Sequence, residues 1–369
     1  MTATADRLAR LRARMGETGT DLVALGPTSH MRWLAGLDPH GDERPVMLLV
    51  SQDHAGLLMP SLNAASVRQG TDLPFHEWTD AEGPEGALSD LLSACGADRP
   101  GVAVAVDEAM RADFALRLLD ALPGARRSFA AETVGALRRR KDVGEVAALR
   151  ASTRLNDGAA AAGFGALEVG MTELEVQGVI HDHYAAHGAR PAFTIVGFGA
   201  NGAFPHHHSG ATRLERDQAV LIDTGCLLDG HPSDMTRCGW FGTPDPEFLR
   251  VAAVVERAVR AALDAARPGV PAREVDRAAR DVIAAEGYGE RFLHRLGHGL
   301  GIDVHEPPYL TAASGAPLEE GNVFSVEPGI YLEGRFGVRL EDIVVLRADG
   351  PEVLSGLARD VRLLGGGAA

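Results

Sequence analysis

Apolar residues in the first third of the chain come in short continuous runs, at residues 21–25, 46–50 and 102–106, each bounded by polar or glycine-containing turns. Runs of this length, rich in Val and Leu, predict buried strands. Between them, residues 85–95 and 108–122 place apolar side chains at helical spacing, and residues 1–16, where Arg and Asp alternate with Leu, read as an amphipathic helix and not as a signal peptide. Up to about Val134 the pattern is that of an α/β domain. A basic run, Arg138-Arg139-Arg140-Lys141, then opens a long helical stretch, and the first domain is placed at residues 1–135.

The remainder of the chain repeats itself. Gly170-Met171-Thr172-Glu173-Leu174-Glu175-Val176 returns as Gly269-Val270-Pro271-Ala272-Arg273-Glu274-Val275, and the helix expected after each ends at Gly188 and at Gly287, the same 99-residue offset. Each copy follows an Ala-rich amphipathic helix, predicted over about residues 143–166 and 246–266. Thr172 and Glu175 stand at capping-box spacing, and Pro271 marks the first turn of the second copy. Each copy then enters an apolar strand that carries an acid: Ala219-Val220-Leu221-Ile222-Asp223 in one, Val323-Phe324-Ser325-Val326-Glu327 in the other. A carboxylate at the end of such a strand is costly unless it has a partner. A second acid follows within a hairpin's length, Asp234 after residues 228–232 and Glu341 after residues 333–335. Two helix-helix-hairpin units related by an approximate twofold would bring the four acids to the centre.

Composition narrows the chemistry. With 36 Lys+Arg against 51 Asp+Glu the formal charge is -15, which argues against a broad electrostatic grip on nucleic acid or anionic lipid. Lys141 is the single lysine and no glycine loop precedes it, so a P-loop and a Schiff-base enzyme are excluded. Cys95, Cys226 and Cys238 are too scattered for a disulfide framework or a zinc knuckle, and a reducing cytoplasm is the expected compartment. No run approaches the roughly 18 apolar residues of a membrane span. Ten of the 14 histidines lie between His181 and His305, which points to metal or proton chemistry.

Asp223, Asp234, Glu327 and Glu341 together offer enough oxygen for two divalent ions with bridging carboxylates. His298, in Gly297-His298-Gly299-Leu300-Gly301, is the candidate imidazole, its flanking glycines permitting close backbone approach. Oxygen-rich ligation with one nitrogen favours Mn²⁺, with Co²⁺ or Zn²⁺ as alternatives.

Five segments carry a resemblance: Ile222-Asp223-Thr224-Gly225, residues 229–237, residues 297–308, Val326-Glu327-Pro328-Gly329-Ile330-Tyr331 and Gly337-Val338-Arg339-Leu340-Glu341-Asp342. They resemble the metal-binding motifs of the pita-bread metallopeptidases, and within them the branch holding Xaa-Pro dipeptidase (prolidase) and Xaa-Pro aminopeptidase. The resemblance is close over residues 141–364; before that it rests on length and α/β character. It implies an α+β protein in which an N-terminal creatinase-like α/β domain, residues 1–135, precedes a pseudo-twofold pita-bread catalytic domain, residues 136–369. It further implies that Asp223, Asp234, His298, Glu327 and Glu341 bind two metal ions, with Asp234 and Glu341 bridging.

By the same resemblance His206 and His305 flank the scissile peptide and stabilise the substrate and the developing charge, while Glu327 shuttles a proton from a metal-bridging water. Arg339 shares a strand face with Glu341 by period-two alternation, so it either orients that carboxylate or reaches a substrate carboxylate. The implied activity is hydrolysis of Xaa-Pro bonds in dipeptides or at the N-terminus of short peptides. The implied partners are a small peptide with proline second and a second copy of the chain in a homodimer; neither nucleic acid nor membrane is expected. The alternatives on the same scaffold are a creatinase-like or compatible-solute hydrolase acting on another amide, and a non-catalytic peptide-binding module. Creatinase-type sites and binding modules are expected to lack ligand acids, whereas all five ligand positions are present here.

His207 and His208 adjoin His206, but neighbours on an extended chain point to opposite faces, so only His206 is assigned. Cys226 and Cys238 read as buried packing residues. Phe193, Phe204 and Tyr309 are candidates for an apolar substrate pocket or for ordinary core roles. Gly197-Phe198-Gly199-Ala200-Asn201-Gly202 fits G-x-G-x-x-G, yet residues 203–210 lack the helical period a dinucleotide site needs. His305-Glu306 is no zincin helix, because Pro307 and Pro308 follow.

Overall fold

The computed structural model describes residues 3–365, and its chain divides into two compact units between Arg138 and Arg139. The first two residues of the expected N-terminal helix and the last four of the expected catalytic domain lie outside the described residues; the helix itself is Ala3–Thr18.

The first unit is built on a six-stranded mixed sheet. Its central strand, Leu22–Leu25, is buried throughout and lies between Met47–Val50, antiparallel, and Ala103–Val106, parallel. These are the three runs legible as buried strands. Ala55–Pro60 and Phe75–Trp78 extend the sheet on one side and Arg126–Phe129 on the other. Arg126–Phe129 is exposed along its whole length, so it has no apolar run by which to recognise it. Helices Glu85–Ala94 and Ala112–Asp120 bury Leu88, Leu91, Phe114 and Leu118 against Leu22, Leu49 and Val104. The second helix starts four residues later than its periodicity suggests. Asp107 accepts the N–H of Ala109 at 2.9 Å and of Gly26 at 3.2 Å, which holds residues 107–110 in a turn.

In the second unit the repeat becomes two helix pairs. Val143–Gly165 and Glu173–Ala186 form the first, Pro246–Ala265 and Ala272–Ala285 the second. Thr172 and Glu175 close the capping box, Glu175 N donating to Thr172 Oγ1 at 3.1 Å and Thr172 N to Glu175 Oε2 at 2.7 Å. Pro271 caps the second copy, and Gly188 and Gly287 end the two helices at φ of 75° and 84°, where a Cβ would be strained.

Two five-stranded sheets and a two-stranded hairpin, Gly329–Leu332 with Phe336–Arg339, accompany the helices. One sheet includes Arg190–Phe198, Gln218–Leu228, Met235–Phe241 and Arg362–Leu364; the other joins Glu306–Leu310, Gly297–Gly299, Val323–Val326, Asp342–Arg347 and Gly350–Val353. Strand Gln218–Leu228 serves two cores by its alternation. Val220 and Ile222 pack with Phe164, Val176 and Ile180 of the first helix pair. Ala219 and Leu221 face the other way, into a core with Val251, Val255, Phe324 and Val326. Asp223 continues the second face, between the two halves of the unit.

Candidate metal centre

Asp223 lies within its strand and not at its end: pairing continues to Leu228, with Asp223 in register with Thr236 and Ile195. Gly225 permits this, because a Cβ there would lie 2.2 Å from Ser233 O and 2.6 Å from the Phe193 ring. Asp234 immediately precedes the returning strand Met235–Phe241. His298 is the middle residue of Gly297–Gly299, its N–H donating to Ser325 Oγ at 3.0 Å. Glu327 follows strand Val323–Val326 and accepts the Ser325 hydroxyl at 3.1 Å. Glu341 follows the hairpin Gly329–Leu332/Phe336–Arg339 and accepts the Thr236 hydroxyl at 2.8 Å.

These side chains converge. Ligand atoms of Asp223, Asp234 and Glu341 lie within 4.8 Å of one another, as do those of His298, Glu327 and Glu341, and those of Asp234, His298 and His305. Asp234, Glu341 and His298 each belong to two of these groups. His298 Nε2 stands 3.3 Å from Glu327 Oε1 and 3.6 Å from Asp234 Oδ2. Its Nδ1 lies 3.1 Å from Gly299 O, an acceptor, so Nδ1 carries the proton and Nε2 turns a lone pair toward the acids.

The electrostatics point the same way. Burial, reinforced by the neighbouring carboxylates, drives Asp234 and Glu341 well above the usual carboxylate range. Burial also pushes Glu327 up to about 7, against the pull of Arg339. Burial, with the nearby His305, pushes His298 down to about 3. Asp223 Oδ1 and Glu341 Oε1 are buried and have no hydrogen-bond partner among the described residues. Buried carboxylate oxygens without partners are costly, and a divalent cation is the partner that satisfies several at once. Four acids and one neutral imidazole around two shared carboxylates therefore fit a pair of divalent ions.

Arg339 is a cation buried among the acids. It forms an ion pair with Asp223, donates Nε to Thr236 Oγ1 at 2.8 Å and donates Nη1 to Tyr331 Oη at 3.0 Å. It meets Glu341 only through Thr236. Strand pairing ends at Arg339, and the Glu341 N–H turns to Thr236 O at 3.1 Å.

A cavity of about 760 Å³ opens over the cluster, lined by all five candidate ligands together with His206, His305 and Arg339. His206 lies in a turn after the short helix Gly199–Ala203, so the three-histidine run is not extended. His207 turns away to Glu173 Oε2 at 2.9 Å. Within the G-x-G-x-x-G segment Gly197 serves close approach: a Cβ there would lie 3.0 Å from Gly202 Cα. Of the three aromatic candidates Phe193 lines the cavity; Phe204 is exposed, and Tyr309 lies under the Arg295 guanidinium, 4.7 Å from it. Cys226 and Cys238 are buried in the core.

Several lining residues escape the sequence reading, His294 among them. His294 is left there among the ordinary histidines, yet it reaches the cavity with Nε2 2.8 Å from Tyr331 Oη, and burial pushes it down to about 4. Tyr331 donates to His294 while accepting from Arg339, which links Asp223 to the cavity wall. Apart from standing four positions before His298, His294 has no sequence signal.

Paired helix-and-sheet halves around a carboxylate-rich centre for divalent ions define a metallohydrolase of the pita-bread class. The chain belongs to metallopeptidase family M24, whose pattern matches residues 147–348, and residues 7–139 match the Creatinase/Prolidase N-terminal domain. It is therefore a metallopeptidase-family enzyme, with the fold that its motifs imply. An Xaa-Pro dipeptidase of Lactobacillus helveticus is 32% identical over 381 residues, covering 97% of this chain and 98% of the relative. The crystal structure of dipeptidase PepE from Mycobacterium ulcerans superposes with a TM-score of 0.93 at 35% identity, covering 98% of each chain. That of an X-Pro aminopeptidase from Thermotoga maritima superposes with a TM-score of 0.84 at 30% identity, covering 97% of this chain and 99% of the other. Among the described residues no helix is long and apolar enough to cross a membrane.

Proposed function

We propose that this protein is an Xaa-Pro peptidase, cleaving the bond before proline in dipeptides or at the N-terminus of short peptides. One observation carries the reading: a single cavity holds five convergent metal-ligand candidates and, on its walls, His206, His305, His294 and Arg339. In this reading residues 1–135 form the creatinase-like domain and residues 136–369 the catalytic one. Asp223, Asp234, His298, Glu327 and Glu341 would hold two divalent ions, Mn²⁺ first. Ions held there supply a water of lowered pKa and a Lewis acid for the scissile carbonyl.

The chain's own groups do the rest. Glu327, held by the Ser325 hydroxyl, accepts a proton at its carboxylate and returns it to the departing nitrogen. That return is needed for any amide bond, because the departing nitrogen must gain a proton to leave as an amine. His206 and His305 hold the substrate carbonyl and the oxyanion that develops from it. Arg339 holds Asp223 aimed at the centre through their ion pair. Phe193 and Ile195 give the pyrrolidine ring an apolar wall. A cytoplasmic homodimer completes the reading; light scattering of the purified protein tests the dimer.

The deciding experiment is a substrate panel after chelation and reloading with Mn²⁺, Co²⁺ or Zn²⁺. It compares an Xaa-Pro dipeptide, an Xaa-Pro tripeptide and a dipeptide without proline. Preferential cleavage of the proline substrates supports the proposal, and the tripeptide separates dipeptidase from aminopeptidase. Equal cleavage of the control, or no cleavage with any ion, overturns it.

A further inference from the structure

The turn that carries His305 is fastened from beneath by an ion pair outside the metal centre. Lys141, the chain's only lysine, places Nζ 2.8 Å from Glu306 Oε1, with side chains 2% and 6% exposed. Glu306 Oε2 accepts the N–H groups of Ile302 at 3.2 Å and Asp303 at 3.3 Å. The carboxylate thus sits inside the turn that leads from His298 to His305. Packing around it is tight: a Cβ on Gly301 would lie 2.5 Å from Glu306 Oε1, and one on Gly299 2.4 Å from Pro307 O.

The lysine is itself anchored. Its N–H donates to Gly321 O at 2.8 Å, and its neighbour Arg140 bridges Asn322, directly before the strand that leads to Glu327. The pair therefore ties the approach to Glu327 to the turn before His305. His305 is exposed to the cavity, with its ring centroid 4.0 Å from that of His298. Glu306, the next residue, is buried and fixes the backbone from which His305 projects. A buried ion pair adds little net stability over apolar residues of the same volume, whereas losing one partner strands a charge. What this pair supplies is a fixed geometry.

We propose that Lys141 is a positioning residue of this active site, setting the 300–306 turn through Glu306 and so the reach of His305 to the substrate. The inference rests on the Xaa-Pro reading only for the choice of substrate. Lys141→Met and Glu306→Gln are made in the wild-type and His305→Ala backgrounds and compared, metal-loaded, by metal content, hydrogen exchange of the 299–306 segment, and kcat and KM on an Xaa-Pro dipeptide. Lys141→Met is expected to retain its metal and to exchange the turn amides about tenfold faster. Its kcat is expected to fall roughly tenfold or more. In the His305→Ala background the same change costs less than about twofold, because the group it positions is gone.

Unchanged exchange together with unchanged kcat overturns the inference, as does an equal loss of kcat in both backgrounds. If Lys141→Met does not fold, Glu306→Gln, which keeps its volume and an acceptor oxygen, carries the same comparison. Wild-type protein inactive on every proline substrate would end the functional reading alone. Hydrogen exchange would then decide the positioning role, faster turn exchange in the variant supporting it and unchanged exchange overturning it.

Discussion

Asp234→Asn keeps the side-chain volume at the centre of the carboxylate cluster while removing a charge and a ligand oxygen. Asp234 is buried, belongs to two of the close ligand groups and stands 3.6 Å from His298. In chelated protein the substitution relieves strain, because burial and the charges of Glu341, Asp223 and Glu327 all oppose ionisation of Asp234. The chelated variant should melt at the wild-type temperature or above it at pH 8. In loaded protein the sign reverses. An ion at one hundred times its Kd stabilises the folded state by about 2.7 kcal/mol, and two ions by about 5 kcal/mol. For a domain of this size that is about 10–20 °C in Tm. Since Asp234 belongs to two of the three close ligand groups, the variant should lose most of that rise. Thermal melts with and without chelator across a Mn²⁺ titration, with elemental analysis, make the measurement. A metal-induced rise equal to wild type, or a chelated variant several degrees less stable than chelated wild type, would refute the assignment.

Three further outcomes are expected. Gly297→Ala places a Cβ 2.0 Å from Ser325 O, and the strand must shift at a cost of about 1–3 kcal/mol, carrying His298 with it. Melting should fall and metal content with it, and an unaltered metal stoichiometry would count against this. His294 is pushed by burial from an ordinary value of 6.5 to about 4, so between these values the unfolded chain binds a proton that the folded chain refuses. Its contribution is complete above pH 6.5 and is lost as the pH falls toward 4. His294→Gln should flatten the fall of Tm across that window, and an unchanged slope would contradict it. Lys141, only 2% exposed, should resist reductive methylation in the folded protein and react on denaturation; mass spectrometry of the native reaction checks this.

Much of the molecule is readable without coordinates, for local reasons. The helix starts at Thr172 and Pro271 and the stops at Gly188 and Gly287 depend on a few neighbouring residues, and the 99-residue repeat exposes them twice. Asp223 and Glu327 stand out because a carboxylate in an apolar strand demands a partner. The edge strand Arg126–Phe129 gives no such cue, since a strand that buries nothing needs no apolar period.

Which segments meet was decided only by the tertiary structure. That Arg339 holds Asp223 across 116 positions, and reaches Glu341 only through Thr236, depends on where a strand ends against another half of the domain. His294 becomes a cavity residue only because Tyr331, 37 positions away, meets its ring. Lys141 and Glu306, 165 positions apart, look like a stray base and a stray acid until folding removes both from water together. Residue type and local period determine which side chains demand partners, because burial and backbone geometry act over a few residues. The partner itself is set by packing between distant segments, where one Cβ too many at Gly225, Gly297 or Gly337 would keep the chains apart.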